Sequence, residues 1–146
     1  MAAIEQSVEI ARPPDEVFAY IDDFRRHGEW QDGLVVDDVT GDGGVGTLVR
    51  ERRRMGSREM TVEWEVTAKD PPHSFAFRGT GGPLRPVGRG SLESLDGGSR
   101  TRLDFSLDFE PHGIGFVLRP LARRQARKSI PRDHAKLKEI LERRGD

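Results

Sequence analysis

The order of hydrophobic patterns is the most restrictive feature of this chain. One short alternating stretch is followed by two short helical stretches, a long series of alternating stretches and a single long helical stretch. A sheet built from all those strands has only one long helix to cover its apolar face, and a twisted sheet of that size tends to curl around it. Side chains need not fill the space between the two completely. The order therefore predicts an α+β chain with an internal hollow suited to an apolar molecule, rather than an open polar surface.

Residues Ile4–Ile10 alternate, with Ile4, Val8 and Ile10 on one face and Glu5, Ser7 and Glu9 on the other, as in a half-buried strand. Pro13-Pro14-Asp15-Glu16 opens a helix, because proline suits a first turn and carboxylates favour the positive end of the helix dipole. Val17, Phe18, Tyr20, Ile21 and Phe24 supply its apolar side, and a second short helix is predicted over residues 24–30. Strands are predicted over residues 34–39, 47–55 and 60–67, around Phe75 and Phe77, and over 87–95 and 101–109. Gly56-Ser57 and Asp96-Gly97-Gly98 read as turns, and the glycines and prolines of residues 79–86 predict a long irregular connection. After Pro111 the period becomes helical, with Ile114, Leu118, Leu121, Gln125, Ile130, Leu137 and Leu141 near one stripe. Pro120 and Pro131 are expected to kink that helix on nearly the same face, about three turns apart, bending it along a curved sheet. With no repeat or linker, residues 1–146 read as one domain.

Composition narrows the classes. The 146 residues are enough to bury roughly 70% of the unfolded surface. The hydrophobic fraction is only 34%, but it falls in periodic runs, which argues against disorder. No apolar run is long enough to span a membrane, and Met1-Ala2-Ala3-Ile4-Glu5 lacks the features of a secretory signal. The absence of cysteine excludes disulfides, thiolate metal sites and a cysteine nucleophile. A cytoplasmic location is the expectation. Charge is unevenly placed: residues 13–42 carry nine acidic and two basic side chains, and residues 112–146 ten basic and four acidic. Solvated faces, or attraction between the two ends, account for this. Nucleic-acid binding is not expected, since no aromatic residues are interleaved with the basic ones and no motif is present.

Gly41-Asp42-Gly43-Gly44-Val45-Gly46 satisfies G-x-G-x-x-G, but a dinucleotide site needs a helix N-terminus after the glycines, and here a strand pattern follows. The run is expected to be a hairpin turn. His27, His73, His112 and His134 lie far apart without ligand spacing, so no metal is expected. No G-x-S-x-G elbow supports a hydrolase.

The strand from Thr47 leaves two alternatives open. With Val49 inward, period 2 also turns Glu51, Arg53 and Met55 inward. A buried glutamate could then serve as general acid or base, with the arginine stabilising a developing enolate. With Leu48 inward these charges are solvated, and the cluster Arg50, Arg52, Arg53 and Arg54 weighs toward that arrangement. Tyr20 and His112 are further candidate polar contacts.

The layout resembles the polyketide cyclase/dehydrase and lipid-transport branch of the START-like (SRPBCC) superfamily. The residues that carry the resemblance run from Ile10-Ala11-Arg12-Pro13-Pro14-Asp15-Glu16-Val17-Phe18 through Phe24 to Trp30, then Gly46-Thr47, and Val66 to Pro72 leading into Phe75 and Phe77. A closing hairpin from Gly88 to Leu107 and the ending Leu137-Lys138-Glu139-Ile140-Leu141-Glu142 complete it. The resemblance implies a helix-grip fold, in which a seven-stranded curved antiparallel sheet wraps the C-terminal helix and two short helices after the first strand close one end. It also implies a cavity for a hydrophobic small molecule such as a lipid, polyketide or isoprenoid, and no cofactor. Trp30, Val49, Val62, Trp64, Phe75, Phe77, Leu103, Phe105, Leu107, Leu118 and Leu121 are the expected lining, with Trp30 at the mouth. Three functions stay open: a binding or transport protein, a cyclase or dehydratase using Glu51 with Arg53 nearby, or an interaction module. The last would have a collapsed cavity and meet its partner through Arg123, Arg124, Arg127 and Lys128. Either a monomer or a homodimer is compatible with the pattern.

Overall fold

The computed structural model describes residues 3–55 and 57–144, so the predicted turn at Gly56 and the side chain of Met55 lie outside the described residues. Seven strands form one antiparallel sheet: β1 (Ile4–Ile10), β2 (Leu34–Thr40), β3 (Leu48–Met55), β4 (Arg58–Asp70), β5 (Ser74–Gly79), β6 (Leu84–Leu95) and β7 (Arg100–Pro111). Their spatial order is β1-β7-β6-β5-β4-β3-β2. The first two strands therefore sit at opposite edges. The chain between them crosses the open end of the sheet as α1 (Pro14–Ile21), a 3-10 turn (Phe24–Arg26) and α2 (His27–Trp30). The remaining strands are a meander, the outcome short turns enforce between sequential strands.

Register shifts between Val36 and Asp38 in β2, and between Val66 and Ala68 in β4, are the irregularities that let a sheet bend. The concave face holds α3 (Gly115–Arg143). Pro120 and Pro131 do not interrupt it, and one continuous helix passes through both. Both rings are exposed, so the carbonyls deprived of an N–H partner lie on the outer face, where water can serve them. The irregular connection expected over residues 79–86 is also shorter than the composition implies, because β6 already begins at Leu84. Pro86 is tolerated there: it lies just beyond the last β5 pair, Arg78 with Val87.

The packed core is concentrated at one end. Ile10, Val17, Phe18, Tyr20, Leu103, Leu137 and Leu141 form it, joining β1, α1, β7 and the last turns of α3. Two polar contacts close this end. The Thr101 hydroxyl donates to the Arg12 carbonyl at 2.8 Å, and the Ala11 N–H donates to the Glu142 carboxylate at 2.8 Å. The middle of the structure is less full. Phe75 and Phe77 pair with Gly90 and Gly88 across β5 and β6, and their rings lie over those glycines. A Cβ built on Gly90 would fall 2.4 Å from Phe75 Cζ, and one on Gly88 2.3 Å from Phe77 Cζ. Two inward positions of a central strand thus carry no side chain, and the rings that cover them lie along the sheet instead of reaching toward α3. That leaves the hollow.

Candidate functional site

The hollow is a cavity of about 630 Å³ between the inner face of the sheet, α3 and the α1–α2 crossover. It falls within the range of small-molecule sites, about 300–1,000 Å³. The cavity is open, not collapsed. Trp30, Val62, Trp64, Phe75, Phe77, Leu103, Phe105 and Leu107 all line it, on four different elements. Three expected lining residues do not. Val49 faces inward but is covered, buried in a cluster with Trp64 and Val66. Leu118 is half-buried off the wall, and Leu121 is 63% exposed. The α3 side of the wall is instead Ala122, Ala126, Ile130, Asp133 and His134, with Ala126 and Ile130 packed near Ile4, Phe105 and Leu107.

The wall is mostly apolar, and at one side α2, β3 and α3 bring buried polar groups together. Val49 faces inward, and so does Glu51, which is 2% exposed. The arginine-rich strand does not turn these charges to solvent as its composition suggests. Arg53 explains why: its Nε donates to Glu51 Oε1 at 2.8 Å and its Nη2 to Gln31 Oε1 at 2.6 Å, while the side chain stays 39% exposed. The guanidinium neutralises the carboxylate and still reaches water, which removes most of the penalty for burying a pair. Glu51 Oε2 has no hydrogen-bond partner among the described residues, and the same is true of Trp30 Nε1 and His134 Nδ1. All three side chains line the one cavity.

His27 and Asp133 join His134 on this side. His27 is buried, with Nε2 2.7 Å from the Ile21 carbonyl oxygen. Since a carbonyl only accepts, Nε2 carries the proton. Burial pushes the His27 pKa down, and its ring stacks on Trp64 and meets Trp30 edge-on. Burial also pushes His134 down, to about 4, so it is neutral at physiological pH; its ring packs edge-on against Phe105. Asp133, beside it, is raised by burial and accepts a long 3.4 Å bond from the Asp32 N–H. Sequence reading missed His27, Asp133 and His134 as site residues, yet the signal was present. His27 stands three residues from both Phe24 and Trp30, and Asp133 and His134 continue the stripe of Ile130, Leu137 and Leu141.

Tyr20 and His112 do not join the site. The Tyr20 hydroxyl donates to Glu29 Oε1 at 2.6 Å, and His112 is exposed beside Glu110. The glycine run 41–46 is the β2–β3 hairpin turn, held by Gly46 N–H on the Val66 carbonyl and by Lys69 Nζ, which bonds both the Gly43 carbonyl and Asp22. No group of residues suited to a metal ion occurs among the described residues. No described helix is long and apolar enough to cross a membrane.

The sequence model of the family described as polyketide cyclase / dehydrase and lipid transport matches residues 1–142. This chain belongs to that family. Among solved structures, the polyketide cyclase/dehydrase fold here is similar to the Zhui aromatase/cyclase from Streptomyces sp. R1128, with a TM-score of 0.79 and 19% identity over 99% of this chain and 95% of that one. It is also similar to TTHA0849 from Thermus thermophilus, with a TM-score of 0.75 and 19% identity over 95% of this chain and 96% of that one. At such identities these likenesses establish the fold alone. An uncharacterized protein of Mycobacterium tuberculosis is 33% identical over 89 residues, 56% of this chain, and the match spans 58% of that protein.

Proposed function

We propose that this protein binds an apolar small molecule in the cavity, with a polar end of the ligand set against Trp30, Glu51 and His134. One observation carries the reading. The cavity combines apolar walls with three buried polar atoms, an indole N–H, a carboxylate oxygen and an imidazole nitrogen, that no described residue satisfies. Buried polar groups are ordinarily paired, and convergent orphans in an apolar cavity are what a ligand with a polar end completes. Lipids, polyketides and isoprenoids with a hydroxyl or carbonyl at one end all meet that description. Native mass spectrometry of the purified protein, followed by organic extraction, tests it. A co-purifying apolar molecule, or saturable fluorescence of the neutral probe N-phenyl-1-naphthylamine that the molecule displaces, is the expected result. Absence of both would overturn the reading.

The second reading is a cyclase or dehydratase, favoured by the Glu51 carboxylate, in which Arg53 holds Oε1 at 2.8 Å and Oε2 has no partner among the described residues. In that role the carboxylate, reached by a ligand in the cavity, takes a proton from the carbon next to a ligand carbonyl. The enolate, stabilised by Arg53, adds to a second carbonyl, and the resulting alkoxide takes the proton back. Glu51→Gln separates the readings. A carrier variant still binds the extracted molecule and releases it unchanged, as wild type does. An enzyme returns it altered with wild type and unaltered with Glu51→Gln.

A further inference from the structure

We infer that the outer face of the first half of α3 docks on an anionic lipid surface. Four of the eight exposed large apolar side chains of the described residues fall within residues 114–121: Ile114, Phe116, Val117 and Leu121, each 63–76% exposed. Val117 and Leu121 continue along the helix as Arg124 and Lys128, at the spacing of one stripe, with Arg127 beside them. The face is thus apolar for two turns and basic for the next two. From His112 to Arg132 there are six arginines and lysines and no acidic residue. Arg119 and Arg123 turn inward to Asp108, whereas Arg124, Arg127, Lys128 and Arg132 are exposed.

The patch stands on a fixed support. Gly115 packs so closely on the Pro83 carbonyl that a Cβ would fall 1.8 Å from its oxygen, and the His112 N–H donates to that same carbonyl at 2.8 Å. The opposite side of these turns, at Ala122, Ala126 and Ser129, is cavity wall. One helix therefore separates the patch from the cavity.

Charge selects the occupant. A second copy pairing through the same face would bring Arg124, Arg127 and Lys128 of both chains together, which like-charge repulsion disfavours. A bilayer with anionic headgroups accepts the apolar helix end at its acyl boundary and the basic turns at its surface. This inference does not rest on what the cavity binds.

Vesicle flotation tests it, using phosphatidylcholine with about one part in four phosphatidylglycerol, and pure phosphatidylcholine for comparison. Wild-type protein is expected to float with the anionic vesicles at about 0.05 M salt and to be released as salt rises toward about 0.5 M. Phe116→Ser with Val117→Ser is expected to weaken binding at least about tenfold. Arg124→Gln with Lys128→Gln is expected to weaken it about 25-fold, near fivefold per charge. All four positions are exposed, so unchanged circular dichroism and melting identify a surface effect. Failure of folded wild type to float, or flotation undiminished in the Phe116→Ser, Val117→Ser protein, overturns the inference. So does a dimer that the same double variant dissolves, or capture by an acidic protein without vesicle binding.

Discussion

His134 should make this fold acid-sensitive, and removing it should remove that sensitivity. Its pKa falls from 6.5 to about 4 because the ring is 4% exposed, between Phe105 and Trp30, with Nδ1 unpaired. The unfolded chain binds a proton below 6.5 that the native protein refuses until about 4. The contribution is therefore fully present above pH 6.5 and is lost as pH falls toward 4. The whole shift corresponds to about 3 kcal/mol, of which about 2 kcal/mol is lost by pH ~5. In urea, with a slope of about 2 kcal/mol per M, the midpoint should drop by about 1 M between pH ~7.5 and pH ~5 on this account alone. His27, also depressed by burial, adds a loss of the same sign, and Asp133, raised by burial, works against it. The test is therefore a difference. His134→Leu keeps a similar volume and gives up no Nδ1 hydrogen bond, so its stability near neutral pH should lie within about 1 kcal/mol of wild type. Its midpoint should fall about 1 M less than wild type on acidification. Parallel pH dependence in the two proteins would refute the argument, because it would place the proton uptake elsewhere.

Gly90→Ala should destabilise the protein by about 1–3 kcal/mol, since its Cβ would fall 2.4 Å from Phe75 Cζ and drive that ring into the cavity. The melting temperature should drop by a few degrees and N-phenyl-1-naphthylamine should bind more weakly. Asp108→Asn should cost about 1–2 kcal/mol in urea unfolding, because the carboxylate joins β7 to Arg123 and Arg119 of α3. Hydrogen bonding from Arg123 holds the Asp108 pKa at about 2, so this stabilisation is present above 3.8 and lost as pH falls toward 2. The Asp108→Asn protein should lose less stability than wild type across that window. Lys69→Met should loosen the β2–β3 turn, which Lys69 ties to Asp22 at 2.6 Å, and hydrogen exchange should quicken at residues 41–46 while the core end is unaffected.

Strand alternation made the sheet legible. In β4 and β7 the apolar positions recur every second residue, and the structure buries that face. The helix stripe misled at its N-terminal end, since hydrophobicity there marks the outer face. Ala122 and Ala126 pack inward because the sheet comes close, and Arg123 turns inward because Asp108 waits for it, so size and pairing override the apolar pattern. In β3 the arginines suggested solvent, yet Arg53 follows Glu51 inward and sends only its tip outward. No sequence rule anticipates that pairing, because Gln31 arrives from the end of α2, 22 residues away along the chain. The hollow itself was hidden in Gly88 and Gly90. In a strand, glycine reads as a weak point, and only the cross-strand register with Phe77 and Phe75 reveals that it makes room.

The cavity and its polar side are best understood as one arrangement held at a stability cost. Each unsatisfied buried polar atom costs about 1–3 kcal/mol, and three of them line the cavity, in a fold of a size that retains only about 5–15 kcal/mol in total. Replacing Glu51, Trp30 and His134 by apolar residues of similar shape would remove that penalty. A ligand that supplies partners for even one of them binds the native state alone and stabilises it by mass action, about 2.7 kcal/mol at a hundredfold excess over its dissociation constant. The packed end, from Ile10 to Leu141, is apolar save the Tyr20 hydroxyl and the Trp30 indole N–H. The sheet's middle, thinned by Gly88 and Gly90, is where the cavity gives such a ligand room.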